Sequence, residues 1–527
     1  MRSLLAWLLF GNPSKALGAG LMRCLLVMAA SIFCVFCVME TALAATVSPD
    51  YKKDKNYKKL SAKVEQLQQE VDGLKATLSK KKTAQAEMAE MAADAGNNTD
   101  ATTWFPMDFG VPGKSFVSTG PYIGVPIAWS GGHLIINAPS VNQDVALLRL
   151  RYDIRRHLRS LGIKEPPGTA HVLLSGIVEG AGYWQMSGEG ANSSNIDLAA
   201  AGLDAYILGP GEWLNGLIAF SYDNSSGAST GTYANFSPVQ NSRVYVSQAF
   251  LTVGRLAVTP FYGTLGQLYV PFGTYSSNMV AAPLTKQLSG TKARALVIGY
   301  QPVERNGLYA AGYVFRGDSH GGAASRINNG GLNGGYRFTQ GPATADLGAG
   351  VIANLADSVG MQNVGNSTGI FNGFGGTNGT GNEEITHRVP ALNIRGMVNI
   401  GPAVTLLGEY VAATTAFSAN DLTLNGRGAK PRALNAEAAY TFTAFARPTT
   451  VAAGYAMTKD ALALNLPAER YSLVLNTSIW RDTLQSLEFR HERSYAASAT
   501  ASGSGIAASP QNGRADNIIT AQFDLYF

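Results

Sequence analysis

The sequence predicts an all-β transmembrane β-barrel of about sixteen antiparallel strands, preceded by an N-terminal periplasmic α-helical coiled coil. Three observations predict it. Charged residues are only 15% of the chain and glycines number 59, against roughly 25% charge in soluble proteins. Beyond the N-terminus no run of about 18 apolar residues is available to cross a bilayer as a helix. From Gly168 onward, apolar alternations of about ten residues are joined by short and long connections in turn, the two-sided pattern of a membrane barrel.

Residues 1–44 read as a secretory signal. Met22-Arg23 precedes the apolar run Cys24 to Met39, and Thr41-Ala42-Leu43-Ala44 supplies a small-residue cleavage site before Ala45. Translation starts at Met1 or Met22. All three cysteines, Cys24, Cys34 and Cys37, lie in this segment, so the mature chain is expected to carry no disulfide and no thiolate chemistry. Removing three basic residues and one acid with the signal lowers the formal charge of +5 only slightly, and nothing in that balance points to nucleic acid.

Residues 45–95 are expected to form a periplasmic coiled-coil segment. Tyr57, Leu60, Val64, Leu67, Val71, Leu74 and Leu78 recur in steps of three and four, a heptad seam that either joins copies into a homo-oligomer through 57–78 or folds back on its own chain. Residues 96–167 form a turn-rich periplasmic or plug-like segment. It closes on a helix in which Leu147, Leu150, Ile154, Leu158 and Leu161 share one face opposite Arg149, Arg156 and Arg159; an ordinary surface helix is favoured there over an anion site.

Residues 168–527 form the barrel, with strands running from 171–184 to 515–527. The last stretch, ITAQFDLYF, places Phe527, Leu525, Phe523 and Ile519 on one face and Tyr526, Asp524, Gln522 and Thr520 on the other. It reads as the closing strand, and Phe523, Leu525 and Phe527 resemble the C-terminal signal by which barrel-assembly machinery recognises its clients. The same parity puts Arg243, Arg337, Arg395, Glu409, Glu437, Glu488 and Arg490 in a water-filled lumen, where charge escapes the penalty of hydrocarbon. Trp184, Trp213, Tyr222, Tyr300, Phe315 and Trp480 suit interfacial girdles. The third long loop, Pro271 to Arg294, either covers the barrel mouth or folds inward. If it folds inward, Lys286, Lys292 and Arg294 face inward acids or an anionic solute. The longer fifth loop, Leu355 to Thr386, is so rich in Gly and Asn that mobility is expected.

Catalytic and metal motifs are weak. GASTG at Gly227, GDSHG at Gly317 and GNSTG at Gly365 match a nucleophile elbow, but each sits in a Gly-rich loop with no helix to follow, and the chemistry requires a strand-to-helix turn. The six histidines show no metal-ligand spacing. No cofactor, resident metal or enzymatic activity is expected.

The signal segment, the 57–78 seam, TGPYIGVP with GGHLIINAPSVNQDVALL (Thr119 to Pro126 and Gly131 to Leu148) and the closing strand together resemble the LbtU-like siderophore porins, outer-membrane iron-uptake proteins of intracellular gammaproteobacteria. That resemblance implies TonB-independent passage of a ferric siderophore by facilitated diffusion through a sixteen-stranded barrel in a Gram-negative outer membrane, surrounded by outer-membrane lipid, with the N-terminal segment periplasmic. It assigns no binding residues. A TonB-dependent receptor needs about 22 strands and a plug, more than the mature chain supplies beside a coiled coil. A general porin for small polar solutes and a structural envelope protein anchored by its barrel are the alternatives.

Overall fold

Alternating side chains from Ala170 onward make each segment a ribbon with one face for lipid and one for the interior, and only closure leaves such ribbons without an open edge. The computed structural model describes residues 108–109, 115–119, 141–160 and, apart from gaps mainly in the loops, 170–526. The barrel strands, numbered in chain order, are β1 (Ala170–Ser187), β2 (Asn192–Leu208), β3 (Leu214–Asp223), β4 (Arg243–Gly254), β5 (Phe261–Tyr269), β6 (Lys292–Tyr300), β7 (Gly307–Phe315) and β8 (Asn329–Gln340). They continue as β9 (Ala343–Ile352), β10 (Ala391–Ile400), β11 (Val404–Ala413), β12 (Arg432–Ala444), β13 (Arg447–Lys459), β14 (Glu469–Thr477), β15 (Thr483–Arg493) and β16 (Ala515–Tyr526). Each pairs antiparallel with its successor, and β16 returns to β1 with Asp516 opposite Ser187 and Tyr526 opposite Ile177. The sheet is therefore a closed, sixteen-stranded antiparallel barrel.

Below the end of β16, residues 115–119 run parallel to Ala170–Leu174 of β1, and 108–109 pair in turn with 117–118. The signal segment and the 57–78 seam lie outside the described residues, as does Phe527.

Among the described residues one rim carries short turns, such as 341–342 and 401–403, while the other carries long loops, among them 270–291, 414–431 and the described parts of 316–328, 353–390 and 494–514. Gly341 and Gly401 hold φ of 58° and 60° in two of the short turns, a conformation that side chains other than Asn or Asp resist. The outward face is apolar: Ile298, Leu332, Leu347, Ile394, Leu487 and Phe489 are all exposed, as lipid contact requires. Near the short-turn rim, outward aromatics pair up: Phe261 with Tyr300 at 5.3 Å, Tyr440 with Phe442 at 5.9 Å and Trp480 with Phe523 at 6.0 Å between ring centroids. Trp184, Trp213 and Trp480 are outward and exposed as expected. Phe315 is not a girdle residue: it follows Tyr313 and Ala311 on the inward parity of β7 and is 3% exposed.

The interior is packed with chain. Helix α1 (Gln143–Ser160) starts inside the barrel, where Val141 bridges Tyr269 at the loop end of β5, and runs to the short-turn rim, with Val145, Leu147 and Leu148 in the same apolar cluster as Tyr206, Leu217 and Tyr262. It is thus more than a surface helix. Arg151 donates to the carbonyl oxygens of Leu214 (2.5 Å), Gly209 (3.2 Å) and Gly211 and to Asn215 Oδ1 (2.7 Å), so one guanidinium satisfies the turn between β2 and β3. Arg149 donates to the Pro302 carbonyl at 3.2 Å, and Arg155 pairs with Glu212 at 2.8 Å. Asp144 accepts from Thr264 Oγ1 at 2.8 Å, and burial raises its pKa above the ordinary carboxylate value.

Candidate functional site

The third loop starts where β5 ends, and Val270 N–H donates to the Thr291 carbonyl at 2.9 Å to close its base. Between these points the chain folds into the lumen. Phe272, Tyr275, Ser277, Leu284, Thr285, Leu288 and Ser289 are 0–1% exposed, which an external loop would not be. Its short helix α2 (Leu284–Ser289) buries Leu284 and Leu288. The fifth loop clamps it from above: Ser358 Oγ donates to the Leu288 carbonyl and Val359 N–H to the Gly290 carbonyl, each at 2.8 Å.

Three inward glutamates on the opposite wall hold the loop. Glu409 of β11 accepts Thr274 N–H at 3.0 Å and Tyr275 N–H at 2.8 Å. Glu437 of β12 accepts Ser277 Oγ at 2.5 Å, Asn278 N–H at 2.7 Å and Asn278 Nδ2 at 3.2 Å. Glu488 of β15 accepts Ala281 N–H at 2.8 Å. Loop carbonyls are satisfied in return, Asn278 by Asn476 Nδ2 and Ala282 by Arg470 Nη1, each at 2.9 Å. An extended loop presents its N–H groups in sequence, so acids on strands around the wall meet successive amides, and each charge-assisted bond is worth about 1.5–3 kcal/mol. Gly273 allows the close approach, since a Cβ there would lie 2.6 Å from Glu409 Oε1.

The placement of the expected lumen residues is mixed. Arg337, Arg395, Glu409, Glu437, Glu488 and Arg490 all point inward. Arg337 binds Asp346 at 2.7 Å and lies 4.5 Å from the Tyr309 ring centroid. Arg395 donates to Asn333 Oδ1 at 2.7 Å and to Asn393 Oδ1 at 3.1 Å. Arg490 and Arg470 share Glu492 at 2.9 and 2.8 Å. The side chain of Arg243, at the start of β4, lies outside the described residues.

Contrary to expectation, Lys292 and Arg294 do not face the lumen. The loop ends at Thr291, and both residues belong to β6 on the parity of outward Leu296 and Ile298. Lys292 Nζ sits 5.5 and 5.7 Å from the ring centroids of Tyr245 and Tyr269. Of the three basic residues, only Lys286 is carried into the lumen. Burial lowers its ammonium pKa, opposed in part by the Glu179 carboxylate. The inward acids do meet the third loop, but through its backbone amides. The described parts of the fifth loop are packed rather than loose, with Phe371 and Phe374 buried at 4.9 Å from each other.

Sequence reasoning missed Arg470, Asn476, Asp346 and Arg151. The first three follow the same alternation that identified Glu488 and Arg337, so their signal was present. Arg151 carried none beyond its place on an arginine-rich helix. Of the GxSxG matches, GASTG and GNSTG fall on residues outside the described set. Ser319 of GDSHG is 1% exposed, its amide donating to Asp357 Oδ1 at 2.8 Å and its Oγ accepting from Gln362 Nε2 at 3.1 Å. These bonds tie the fourth loop to the fifth. Among the described residues no three His, Cys, Asp or Glu side chains converge as metal ligands.

A closed barrel with an apolar exterior and a loop latched through its lumen defines a transmembrane β-barrel with an internal constriction. No family model matches the chain. It is 37% identical to a UPF0422 protein of Coxiella burnetii over 79% of this chain and 84% of that one, and 36% identical to a UPF0422 protein of Legionella pneumophila (strain Paris) over 79% and 77%. The chain belongs to the UPF0422 family. Among solved structures it is similar to the outer membrane channel DcaP of Acinetobacter baumannii (12% identity, 69% of this chain and 99% of that one, TM-score 0.42) and to the anion-selective porin from Comamonas acidovorans (13%, 68% and 100%, TM-score 0.43).

Proposed function

We propose that the protein is a passive diffusion channel of a Gram-negative outer membrane, with its short-turn rim in the periplasm and its long loops outside. The observation that carries this reading is the third loop, held through the lumen by Glu409, Glu437 and Glu488. A barrel serving only as an anchor has no use for a constriction built from backbone amides and buried carboxylates. The solute moves down its own gradient and no bond is broken. Lumen width and the charged rows on β8 to β15 set selectivity. Helix α1 narrows the periplasmic end of the lumen, supported by its seating on the turn at 209–214 through Arg151 and on Pro302 through Arg149.

A ferric siderophore is the solute that the resemblance to LbtU-like porins implies, and small polar solutes are what the packed lumen favours. Uptake of labelled ferric siderophore by cells with and without the protein separates them. Uptake that depends on the protein supports the siderophore, and equal uptake beside reproducible bilayer conductance leaves the general channel. An electrically silent barrel overturns both.

A further inference from the structure

On the outward face of the barrel at the long-loop end, Arg432 of β12 and Lys459 of β13 are direct cross-strand partners. Both are exposed, and among the described residues neither has an ion-pair partner. Like charges directly opposite on a sheet repel unless an anion lies between them. Neighbouring acids are engaged elsewhere: Asp460, next in sequence to Lys459, accepts from Arg427 Nη2 at 3.3 Å and Lys430 N–H at 3.1 Å, and Glu469, opposite Met457, pairs with Arg493 at 2.9 Å.

Depth makes the pair informative. Four residues below Lys459, outward Tyr455 meets Tyr471 in a tilted contact with ring centroids 5.2 Å apart, an aromatic row of the kind that marks a membrane interface. At the other rim, Thr449 of the same strand lies opposite Phe442 of the short-turn girdle. The ten residues from there to Lys459 span about 33 Å along the strand, or about 25 Å along the membrane normal at a tilt of about 40°. Lys459 thus stands four residues, about 10 Å along the normal, beyond the aromatic row, which places the two cations among the outer leaflet's head groups.

We propose that Arg432 and Lys459 form a binding site for the phosphate of a phosphorylated lipid in the outer leaflet, one phosphate bridging the guanidinium and the ammonium. The site rests on the membrane orientation given above and is independent of what the lumen conducts.

The test is retention of lipid A, a diphosphoryl glycolipid, by the purified full-length protein in detergent, measured by native mass spectrometry. Variants are Arg432→Gln/Lys459→Gln, Lys459→Glu, which pairs with Arg432 and keeps the barrel folded, and Arg447→Gln at the opposite rim. Heat-modifiable gel mobility verifies folding. Wild type and Arg447→Gln should retain lipid A, with affinity falling at least about tenfold in the double variant and in Lys459→Glu. Equal retention by Lys459→Glu and wild type would overturn the site. So would displacement of the lipid by millimolar inorganic phosphate, because that would show the source to be free anion.

Discussion

Replacing Glu437 by Gln keeps the shape of the side chain and removes its power to accept on both oxygens. The carboxylate takes hydrogen bonds from Ser277 Oγ, Asn278 N–H, Asn278 Nδ2 and Asn435 Nδ2 at 2.5–3.2 Å, and Glu437 is 5% exposed. In the amide, one terminal group becomes a donor facing donors. Ser277 rotates its hydroxyl to accept, but at least one N–H loses its partner and the remaining bonds lose their charge assistance. At about 1.5–3 kcal/mol for each charge-assisted bond, losing two costs about 3–6 kcal/mol of loop docking, a shift of about 10²–10⁴ in the docked-to-released ratio. The expected result is a folded barrel with raised, noisier single-channel conductance and new protease cleavage between 271 and 291. Asp346→Asn also removes one lumen acid, but Asp346 binds Arg337 and Tyr309 rather than the loop, so it should change ion selectivity without cleavage. Glu437→Gln channels as quiet and as protease-resistant as wild type would refute the latch.

Three further outcomes are expected. Arg151→Ala strips four acceptors of their shared donor and should speed hydrogen exchange across 143–156 by more than tenfold, for a loss of about 2–4 kcal/mol, while leaving barrel amides protected. Asp144, whose carboxyl is raised by burial, should dock helix α1 more firmly in acid: the gain is full below the unfolded carboxyl value of about 4 and is lost as pH rises through the higher folded value. Asp144→Asn should flatten that dependence in the exchange of the helix amides. Phe523→Asp puts a charge on the outward face of the closing strand, and with Phe527→Asp it should impair outer-membrane assembly; normal insertion and heat-modifiable mobility in both would count against the terminal assembly signal.

The barrel was legible because lipid on one side and a polar lumen on the other impose period two on every strand. That alternation gave the inward direction of Arg395, Glu409, Glu437 and Glu488 from sequence alone. It was not applied to Lys292 and Arg294, which were counted with the inward-folding loop although they share the alternation of outward Leu296 and Ile298 on β6. The partners of the glutamates were illegible for a different reason. Backbone amides are present at every residue, so no side-chain pattern reveals which ones a carboxylate will take. The seating of helix α1 was hidden similarly, since Arg151 binds carbonyl oxygens of a turn about 60 residues away, and the helix pattern itself is that of any amphipathic surface helix.

As a channel, this barrel conducts solutes through the constriction made by the latched third loop. Swelling of proteoliposomes in a graded series of neutral sugars tests it most directly. Swelling should fall steeply with solute size for the wild type, and the size limit should rise when Glu409, Glu437 and Glu488 are all replaced by Gln. No swelling with any solute, or an unchanged size limit in the triple variant once its barrel is shown to be folded, would contradict it.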